Sequence, residues 1–229
     1  MSTKSELRDV YMFHDLPDEV YENVYRMIIR NSRERIVQKG EVLASPGESP
    51  EHTFILLQGM VKSLWYSESG EDMPSTLFHV KGGRIFLIIP CISQAKLNSY
   101  YIAATKSRIL LIPRDDLIQA MDEYPPFKDR VLLHLCRLSE ARLMHIYMIQ
   151  HKKASHRVSA YLIDRYRRSG STCIDDFYSI EALAGYLNLS RPALSRELNA
   201  LERQGILELK RGSITVKDLE KLQGILQSK

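Results

Sequence analysis

The chain has 229 residues, of which 44% are hydrophobic, and it carries a net charge of +4 at pH 7. This length and composition are typical of one or two folded domains and exclude a disordered chain. The longest notable apolar run, IFLIIPCI, is too short to cross a bilayer, and the charged start MSTKSELRDV does not resemble a signal peptide. We therefore expect a cytoplasmic protein with no membrane contact.

Enzyme and metal motifs are missing from the sequence. Its seven histidines are scattered, and it contains no H-E-x-x-H, no nucleophile elbow and no phosphate-binding glycine loop. Cys91, Cys136 and Cys173 show no C-x-x-C spacing, which predicts reduced thiols rather than disulfides, zinc or iron-sulfur sites. We expect no catalytic residue, no metal and no cofactor, and hence a protein that is not an enzyme.

The first half of the chain has the pattern of a β domain. A helix is expected at about residues 17–30, and short β-prone runs punctuated by glycine follow it. The turn signals recur every 7 to 12 residues, which predicts an antiparallel barrel or sandwich. They lie at Gly40, Gly47, Gly59, Gly70 and Gly82-Gly83, and the runs are KGEVLASPGE, HTFILLQGMVKSLWYSESG, MPSTLFHVKGG, RIFLII and SYYIAATKSRILLIP.

A long helix is expected after Pro125 and Pro126, which end the β-rich region and can begin a helix. Residues 127–151 contain no helix breaker, and about 25 helical residues span about 37 Å, more than one small domain needs. Their apolar stripe resembles a coiled-coil seam interrupted by Arg142 and His145, which favours dimerisation around a polar step. The alternative is a helix packed only on its own β domain. The apolar residues are Val131, Leu132, Leu135, Leu138, Leu143, Ile146 and Ile149.

The last third predicts two helices and a hairpin. Ser179 is a good cap for a short helix over YSIEALAGYLN, Asn188-Leu189 forms a tight break, and a second helix runs until Gly205. ILELKRGSITV then predicts two strands about an Arg211-Gly212 turn. This layout is that of a winged helix-turn-helix, whose second helix enters the DNA major groove. The alternative is a small helical domain whose arginines only form a solvated face.

The basic charge is concentrated in the same third of the chain. Residues 152–229 contain 14 Lys and Arg against 9 Asp and Glu, whereas residues 1–151 contain 18 against 19. Phosphate neutralisation supplies most nonspecific DNA affinity, so this excess favours a nucleic-acid partner. An excess of this size is also compatible with a role in solubility alone.

The start of the second helix depends on Pro192. Proline is tolerated in the first helical turn, where its missing amide hydrogen would have been unpaired anyway. Ser190 is then the N-cap, with the amide of Ala193 left for its hydroxyl. Because a following proline disfavours helical backbone, the alternative is that Arg191 is itself the cap.

The order of these parts resembles the CRP/FNR superfamily of bacterial transcription regulators, with KGEVLASPGE, LLQGMVKSLW, HRVSAYLIDRY and IEALAGYLNLSRPALSRELNALERQGIL. The resemblance covers nearly the whole chain and is most specific at S-R-x-x-x-S-R followed by L-x-x-L-x-x-x-G-I. It implies an α+β fold: an N-terminal antiparallel β-roll, jelly-roll-like and of the cyclic-nucleotide-binding-domain type, a long dimerisation helix and a C-terminal winged helix-turn-helix. The implied domains are 1–125, 126–152 and 153–229. The implied partners are double-stranded DNA, a second copy of the chain and RNA polymerase.

The resemblance places the DNA contacts on the second helix and the wing. Arg191 and Arg196 are similar to two arginines that contact bases in cyclic-AMP-dependent members, while Pro192 replaces the glutamate beside the first. Ser195-Arg196 is similar to the oxygen-sensing branch. Arginine binds guanine O6 and N7 together, whereas proline cannot accept a hydrogen bond from cytosine, so we expect an inverted-repeat operator that differs from the cyclic-AMP-dependent consensus. The candidate DNA-binding residues are Ser179, Ser190, Arg191, Pro192, Ser195, Arg196, Lys210 and Arg211.

The sensor region departs from the nucleotide-binding members of the family. Leu87 and Ile88 stand where those members have a glycine-glutamate pair, and Asn98-Ser99 stands where they have the arginine-serine pair that holds the cyclic phosphate. A buried phosphate without a cationic partner is costly, so cyclic nucleotide binding is not expected. Arg142 and Leu143 likewise replace small hydroxylated residues that contact adenine, and neither a cysteine cluster nor a haem-ligand pair is evident.

Three alternatives remain for the signal. The first is an unidentified small organic effector, for which an anion is one option, between the β-roll and the dimer helix near Phe86, Asn98, Ser99 and Arg142. The second is thiol sensing through Cys91, for which a buried structural cysteine is the plainer interpretation. The third is that no ligand exists and abundance alone controls the output. If the helix-turn-helix does not bind DNA, the chain is instead a ligand-binding or thiol-sensing interaction module.

Overall fold

The computed structural model describes residues 3–65, 73–79, 83–175, 177 and 179–227. The chain divides into two compact units, Met1–Ser139 and Glu140–Lys229, and one long helix contributes residues to both. From the N-terminus through that helix, the elements are α1 (Thr3–Arg8), α2 (Asp18–Asn31), β1 (Arg33–Val37), β2 (Val42–Ala44), β3 (His52–Gln58), β4 (Met60–Trp65), β5 (Met73–His79), β6 (Arg84–Phe86), α3 (Ile88–Ser93), β7 (Ser99–Ala103), β8 (Ser107–Pro113), α4 (Arg114–Glu123) and α5 (Pro125–Gln150).

Two four-stranded antiparallel sheets form the β domain of the first unit, in the orders β1-β8-β3-β6 and β2-β7-β4-β5. Strand β3 shows how the alternating pattern divides the interior. Phe54 and Leu56 enter a core that receives side chains from both sheets, whereas Ile55 and Leu57 enter a second core shared with the helices. The predicted antiparallel β domain is therefore confirmed.

A close approach between two loops requires glycine at position 59. Gly59 has a φ of +93°, and a side-chain carbon there would lie 2.7 Å from the carbonyl oxygen of Lys106. This turn joins β3 to β4, where the hydroxyl of Ser107 accepts a hydrogen bond from the amide of Met60 at 3.0 Å. The predicted turn positions Gly70 and Gly82 lie outside the described residues.

Two features of the first unit differ from the sequence prediction. Helix α1 was not expected, because it is short and contains only one fully buried residue, Leu7. The run RIFLII was expected to be one strand, but β6 ends at Phe86 and α3 begins at Ile88. Leu87 between them adopts a left-handed φ of 62°, which turns the chain and ends the ladder.

Helix α5 confirms the long helix expected over residues 127–151 and has two distinct apolar faces. Val131 is fully buried in the core of the first unit, and Leu135 and Leu138 pack against that core. By contrast, Leu143 and Ile146 remain 64% and 49% exposed. The same exposed stripe contains Leu132, Cys136 and Ser139 at spacings of three and four residues, which is typical of a coiled-coil seam.

The predicted polar step in this seam is wrong at His145. The imidazole stacks on Tyr186 of the same chain, with ring centres 4.2 Å apart, and its Nε2 lies 2.6 Å from the Tyr186 carbonyl oxygen. His145 therefore packs on its own C-terminal unit. Arg142, the other residue of the proposed step, is exposed on α5.

The second unit continues with α6 (Ala154–Ser169), β9 (Cys173–Ile174), α7 (Ile180–Tyr186), α8 (Arg191–Arg203), β10 (Leu207–Lys210), β11 (Ser213–Val216) and α9 (Leu219–Gln227). Its small antiparallel sheet has the order β10-β11-β9, and one apolar core joins this sheet to the surrounding helices. The predicted helix-turn-helix and hairpin are therefore confirmed. The three-part division at 125/126 and 152/153 stays a prediction. None of the helices formed by the described residues has the length and apolar character of a membrane span.

Candidate nucleic-acid interface

The turn between α7 and α8 is fixed by its caps. The hydroxyl of Ser179 accepts a hydrogen bond from the Ala182 amide at 3.1 Å and so begins α7. At the other end, Asn188 adopts a φ of 51°, and the amide of Leu189 donates to the Ala184 carbonyl at 2.9 Å. These contacts turn the chain tightly and set the direction in which α8 leaves.

Ser190 is the N-cap of α8, which settles the choice between Ser190 and Arg191. Its backbone is extended, and its hydroxyl accepts a hydrogen bond from the Ala193 amide at 3.3 Å. Arg191 is the first helical residue, and Pro192 occupies the first turn, where it removes no intrahelical hydrogen bond.

The two faces of α8 differ sharply in chemistry. Leu194, Leu198 and Leu201 are buried in the core of the second unit. Arg191, Pro192 and Arg196 are exposed on the other side, with Ser195 half-buried beside them. Arg196 forms no ion pair with any residue in the described ranges, so its guanidinium can bind a partner without first breaking a contact. Buried leucines thus fix the helix while its polar face stays accessible.

Arg191 is held by an acidic residue that the sequence analysis did not single out. Its Nε lies 2.8 Å from Oε1 of Glu181 on α7. The pKa of Glu181 is lowered by a hydrogen bond from its own backbone amide, by the Ser179 hydroxyl and by Arg191, so the carboxylate stays ionised. Any anion that binds Arg191 must therefore compete with Glu181.

The hairpin of β10 and β11, which forms the wing, carries basic side chains that are paired with a carboxylate and one that is not. Lys210 and Lys217 lie 2.9 Å and 2.5 Å from the carboxylate oxygens of Glu208, and their hydrogen bonds lower the pKa of Glu208 to about 2. Arg211 is exposed at the tip of the hairpin and forms no ion pair within the described part of the chain. Gly212 beside it has a φ of +82°, as the tight turn requires.

Arg157 on α6 positions the turn, and its role could not be found from spacing alone. Its Nη1 donates to the carbonyl oxygens of Leu187 at 3.3 Å and of Asn188 at 2.7 Å. Its Nε donates to the carbonyl oxygen of His151 at 2.6 Å. One guanidinium therefore ties the helix-turn-helix to the end of α5.

Comparisons with known proteins agree with this geometry. The family model of the cyclic nucleotide-binding domain matches residues 34–124, and that of the Crp-like helix-turn-helix domain matches residues 156–225. The chain is 25% identical over 195 residues to the anaerobic regulatory protein of Haemophilus influenzae, covering 83% of this chain and 75% of that protein. It is 24% identical over 210 residues to the global nitrogen regulator of Nostoc sp., covering 87% and 93%. The chain belongs to the CRP/FNR family of transcription regulators.

Solved structures of similar fold span most of the chain. A mutant of CooA from Carboxydothermus hydrogenoformans matches with a TM-score of 0.73 and 20% identity, covering 95% of this chain and 99% of the other. FixK2 from Bradyrhizobium japonicum matches with a TM-score of 0.67 and 21% identity, covering 84% and 96%. This protein is therefore a DNA-binding transcription regulator with the CRP/FNR architecture, including the expected β-roll and winged helix-turn-helix.

The predicted effector residues of this CRP/FNR regulator are only partly brought together. Phe86 stacks on Phe54 at 5.1 Å and on Tyr101 at 6.0 Å, which places it in the core of the β-roll. Ser99 is buried and donates a hydrogen bond to Oδ1 of the adjacent Asn98 at 3.2 Å. The fourth candidate, Arg142, belongs to the second unit.

Cys91 has the properties of a structural thiol. It is fully buried, and burial raises the pKa of the thiol to about 11, although Arg114 acts in the opposite direction. A protonated, inaccessible thiol reacts slowly with oxidants, which opposes the proposed redox role. Cys136 and Cys173 are exposed. No group of three side chains suited to hold a metal ion occurs in the described ranges.

Proposed function

We propose that the regulator acts as a homodimer that binds an inverted-repeat operator through two copies of α8. The observation that carries this proposal is the exposed polar face of α8, with Arg196 available and the leucines opposite it buried. Arg191, Pro192, Ser195 and Arg196 contact base edges, while Ser179, Ser190, Lys210 and Arg211 contact the phosphate backbone.

The exposed stripe of α5 is the proposed dimer contact. Leu132, Leu143 and Ile146 leave a large apolar surface in water, and covering it with the same surface of a second copy removes that cost. In the dimer, the two recognition helices lie about 34 Å apart, one turn of DNA, so that both fit adjacent major grooves.

The output is set by a small effector that binds one tilt of the dimer better than another, and by contact with RNA polymerase. The predicted site includes Phe86, Asn98 and Ser99 of the β-roll. A thermal-shift screen of metabolites tests this, since a true effector raises the unfolding temperature and an abundance-controlled regulator shows no shift. Mass spectrometry after peroxide treatment tests the alternative of a sensor thiol at Cys91. We further propose that the protein acts in the cytoplasm and catalyses no reaction.

Selection of bound sequences from random DNA, at defined salt, tests the function. The expected result is a palindromic motif with two equal half-sites that differs from the cyclic-AMP-dependent consensus. Recovery of that consensus would contradict the proposed role of Pro192. If folded, dimeric protein enriches no sequence with or without cell extract, the chain is instead an interaction module without productive DNA binding.

A further inference from the structure

A pocket of about 320 Å³ lies between the segment after α1 and the first turns of α5. Its volume is at the lower end of the range for small-molecule sites. All of its lining residues belong to the first unit, and none is among the predicted effector residues. They are Asp9, Tyr11, His14, Asp15, Arg130 and Arg137.

Two of the lining side chains have buried polar atoms without hydrogen-bond partners in the described part of the chain. These atoms are the hydroxyl oxygen of Tyr11 and Nε of Arg130. Nε2 of His134 is in the same condition, and the His134 ring centre lies 5.7 Å from that of Tyr11. Burial and the neighbouring Arg137 lower the pKa of His134, which keeps its imidazole neutral at pH 7. Buried polar groups in proteins are normally paired, so a cluster of unpaired groups distinguishes this side of the pocket from the rest of the first unit.

The charges around the pocket are unequally paired. A carboxylate oxygen of Asp15 lies 2.9 Å from Nδ1 of His14 and 3.8 Å from Nη2 of the cation Arg130. Arg137 lies over the Tyr11 ring, 3.9 Å from its centre, but forms no ion pair among the described residues. Asp9 likewise forms none within those ranges. The lining therefore keeps one cation and one carboxylate available for a ligand.

We propose that this pocket binds a free α-amino acid. The ligand carboxylate pairs with Arg137, while the ligand ammonium pairs with Asp9. The opposite charges carried by two substituents of one ligand carbon match the opposite charges of the lining. A phosphate or dicarboxylate fits less well, because it meets the carboxylates of Asp9 and Asp15 without supplying a cation.

Binding here would act on the proposed dimer helix. Arg137 lies on α5, two turns after Arg130. A bound amino acid therefore favours the position of α5 in which Arg137 and Asp9 can both reach the ligand. This step rests on the proposed effector-controlled function. The binding itself does not, because it is measured on the protein without DNA.

Calorimetric titration of the full chain tests the site, with each common amino acid compared with its 2-oxo acid and its decarboxylated amine. We expect at least one amino acid to bind, and the analogues that lack either charge to bind about tenfold more weakly or worse. If no amino acid binds to protein that is folded and dimeric by light scattering, the proposal is wrong. Equal binding of the 2-oxo acid would overturn the role of Asp9.

Variants separate a ligand site from a structural cluster. Arg137→Gln and Asp9→Asn should each weaken binding about tenfold or more, whereas Arg26→Gln, at an exposed arginine of α2, should leave it unchanged. Tyr11→Phe removes a buried hydroxyl that lacks a partner but keeps the ring under Arg137, so it should change neither the unfolding temperature of the free protein nor the binding of the amino acid. Unchanged binding in both Arg137→Gln and Asp9→Asn, or equal weakening by the control Arg26→Gln, would overturn the proposal.

Discussion

The surface of α8 and the interior of the β-roll differ in where they keep polar groups. On α8, Arg191 and Arg196 face outward while the leucines enter the core. In the β-roll, the aromatic rings of Phe54, Phe86 and Tyr101 stack on one another in the interior. The C-terminal half thus keeps its polar groups accessible, whereas the β-roll has an interior suited to packing. Membership of a family therefore predicts the output of this protein better than its signal.

Charge introduced on the exposed stripe of α5 should have the largest effect, because it should separate the two copies of the proposed dimer while leaving α8 intact. We expect Leu143→Glu combined with Ile146→Glu to give a monomer, since two carboxylates cannot be buried in an apolar seam. Operator affinity should fall by about 10²- to 10⁴-fold as the second half-site contact is lost. Sedimentation and fluorescence anisotropy measure the two effects. Ile36→Glu, at an exposed apolar residue of β1, is the matched control. A variant that stays dimeric would place the interface elsewhere.

Truncation of Phe86 tests the other half of the comparison. Phe86→Ala should destabilise the protein by about 3–5 kcal/mol in urea denaturation, because it leaves a cavity between two aromatic rings. Ile89→Ala, at an exposed position of α3, should cost much less stability.

Cyclic AMP should not raise the unfolding temperature of the parent protein. A clear rise would show that the β-roll still accepts a nucleotide.

Single substitutions on α8 and the wing should have smaller and separable effects on DNA binding. Arg196→Gln should cost about 1–3 kcal/mol on the selected operator and relax the preference at one base pair. Lys210→Gln should weaken binding to all sequences alike and reduce the salt dependence, because the contact proposed for Lys210 is with phosphate only. Its partner Glu208 limits this loss, since the parent Lys210 is already paired. Competition titrations at several salt concentrations distinguish the two patterns, and equal loss of specificity in both variants would contradict this division.

Local sequence patterns predicted the elements whose determinants are close in the chain. The helix-turn-helix follows from Ser179, Ser190 and the leucine spacing, and the hairpin follows from its Arg211-Gly212 turn. The β domain follows from alternating apolar runs between glycines. The sequence does not decide between Ser190 and Arg191 as the N-cap of α8 because Pro192 affects both, and only the backbone conformation decides for Ser190.

Features that depend on distant residues could not be predicted in this way. The pocket joins Asp9 and Tyr11 to Arg130 and Arg137, which are more than a hundred residues away in sequence. The position of His145 depends on Tyr186, and a helical pattern cannot tell whether such a residue faces a second copy or its own domain. The contacts that sequence reasoning missed are therefore those between residues that lie far apart in the chain and that only the fold brings together.

The smallest expected effect concerns the contact between Glu181 and Arg191. Glu181→Gln removes a carboxylate beside the DNA surface and releases Arg191, so operator affinity should rise slightly, by less than Arg196→Gln lowers it. Because the pKa of Glu181 is lowered, its carboxylate is charged at neutral pH, and the gain should stay constant until the pH falls toward the range in which that group is protonated. Glu220→Gln, at an exposed position of α9, makes the same change in net charge away from α8. A gain confined to Glu181→Gln shows that the ion pair restrains Arg191, whereas equal gains in both variants would show that only net charge matters.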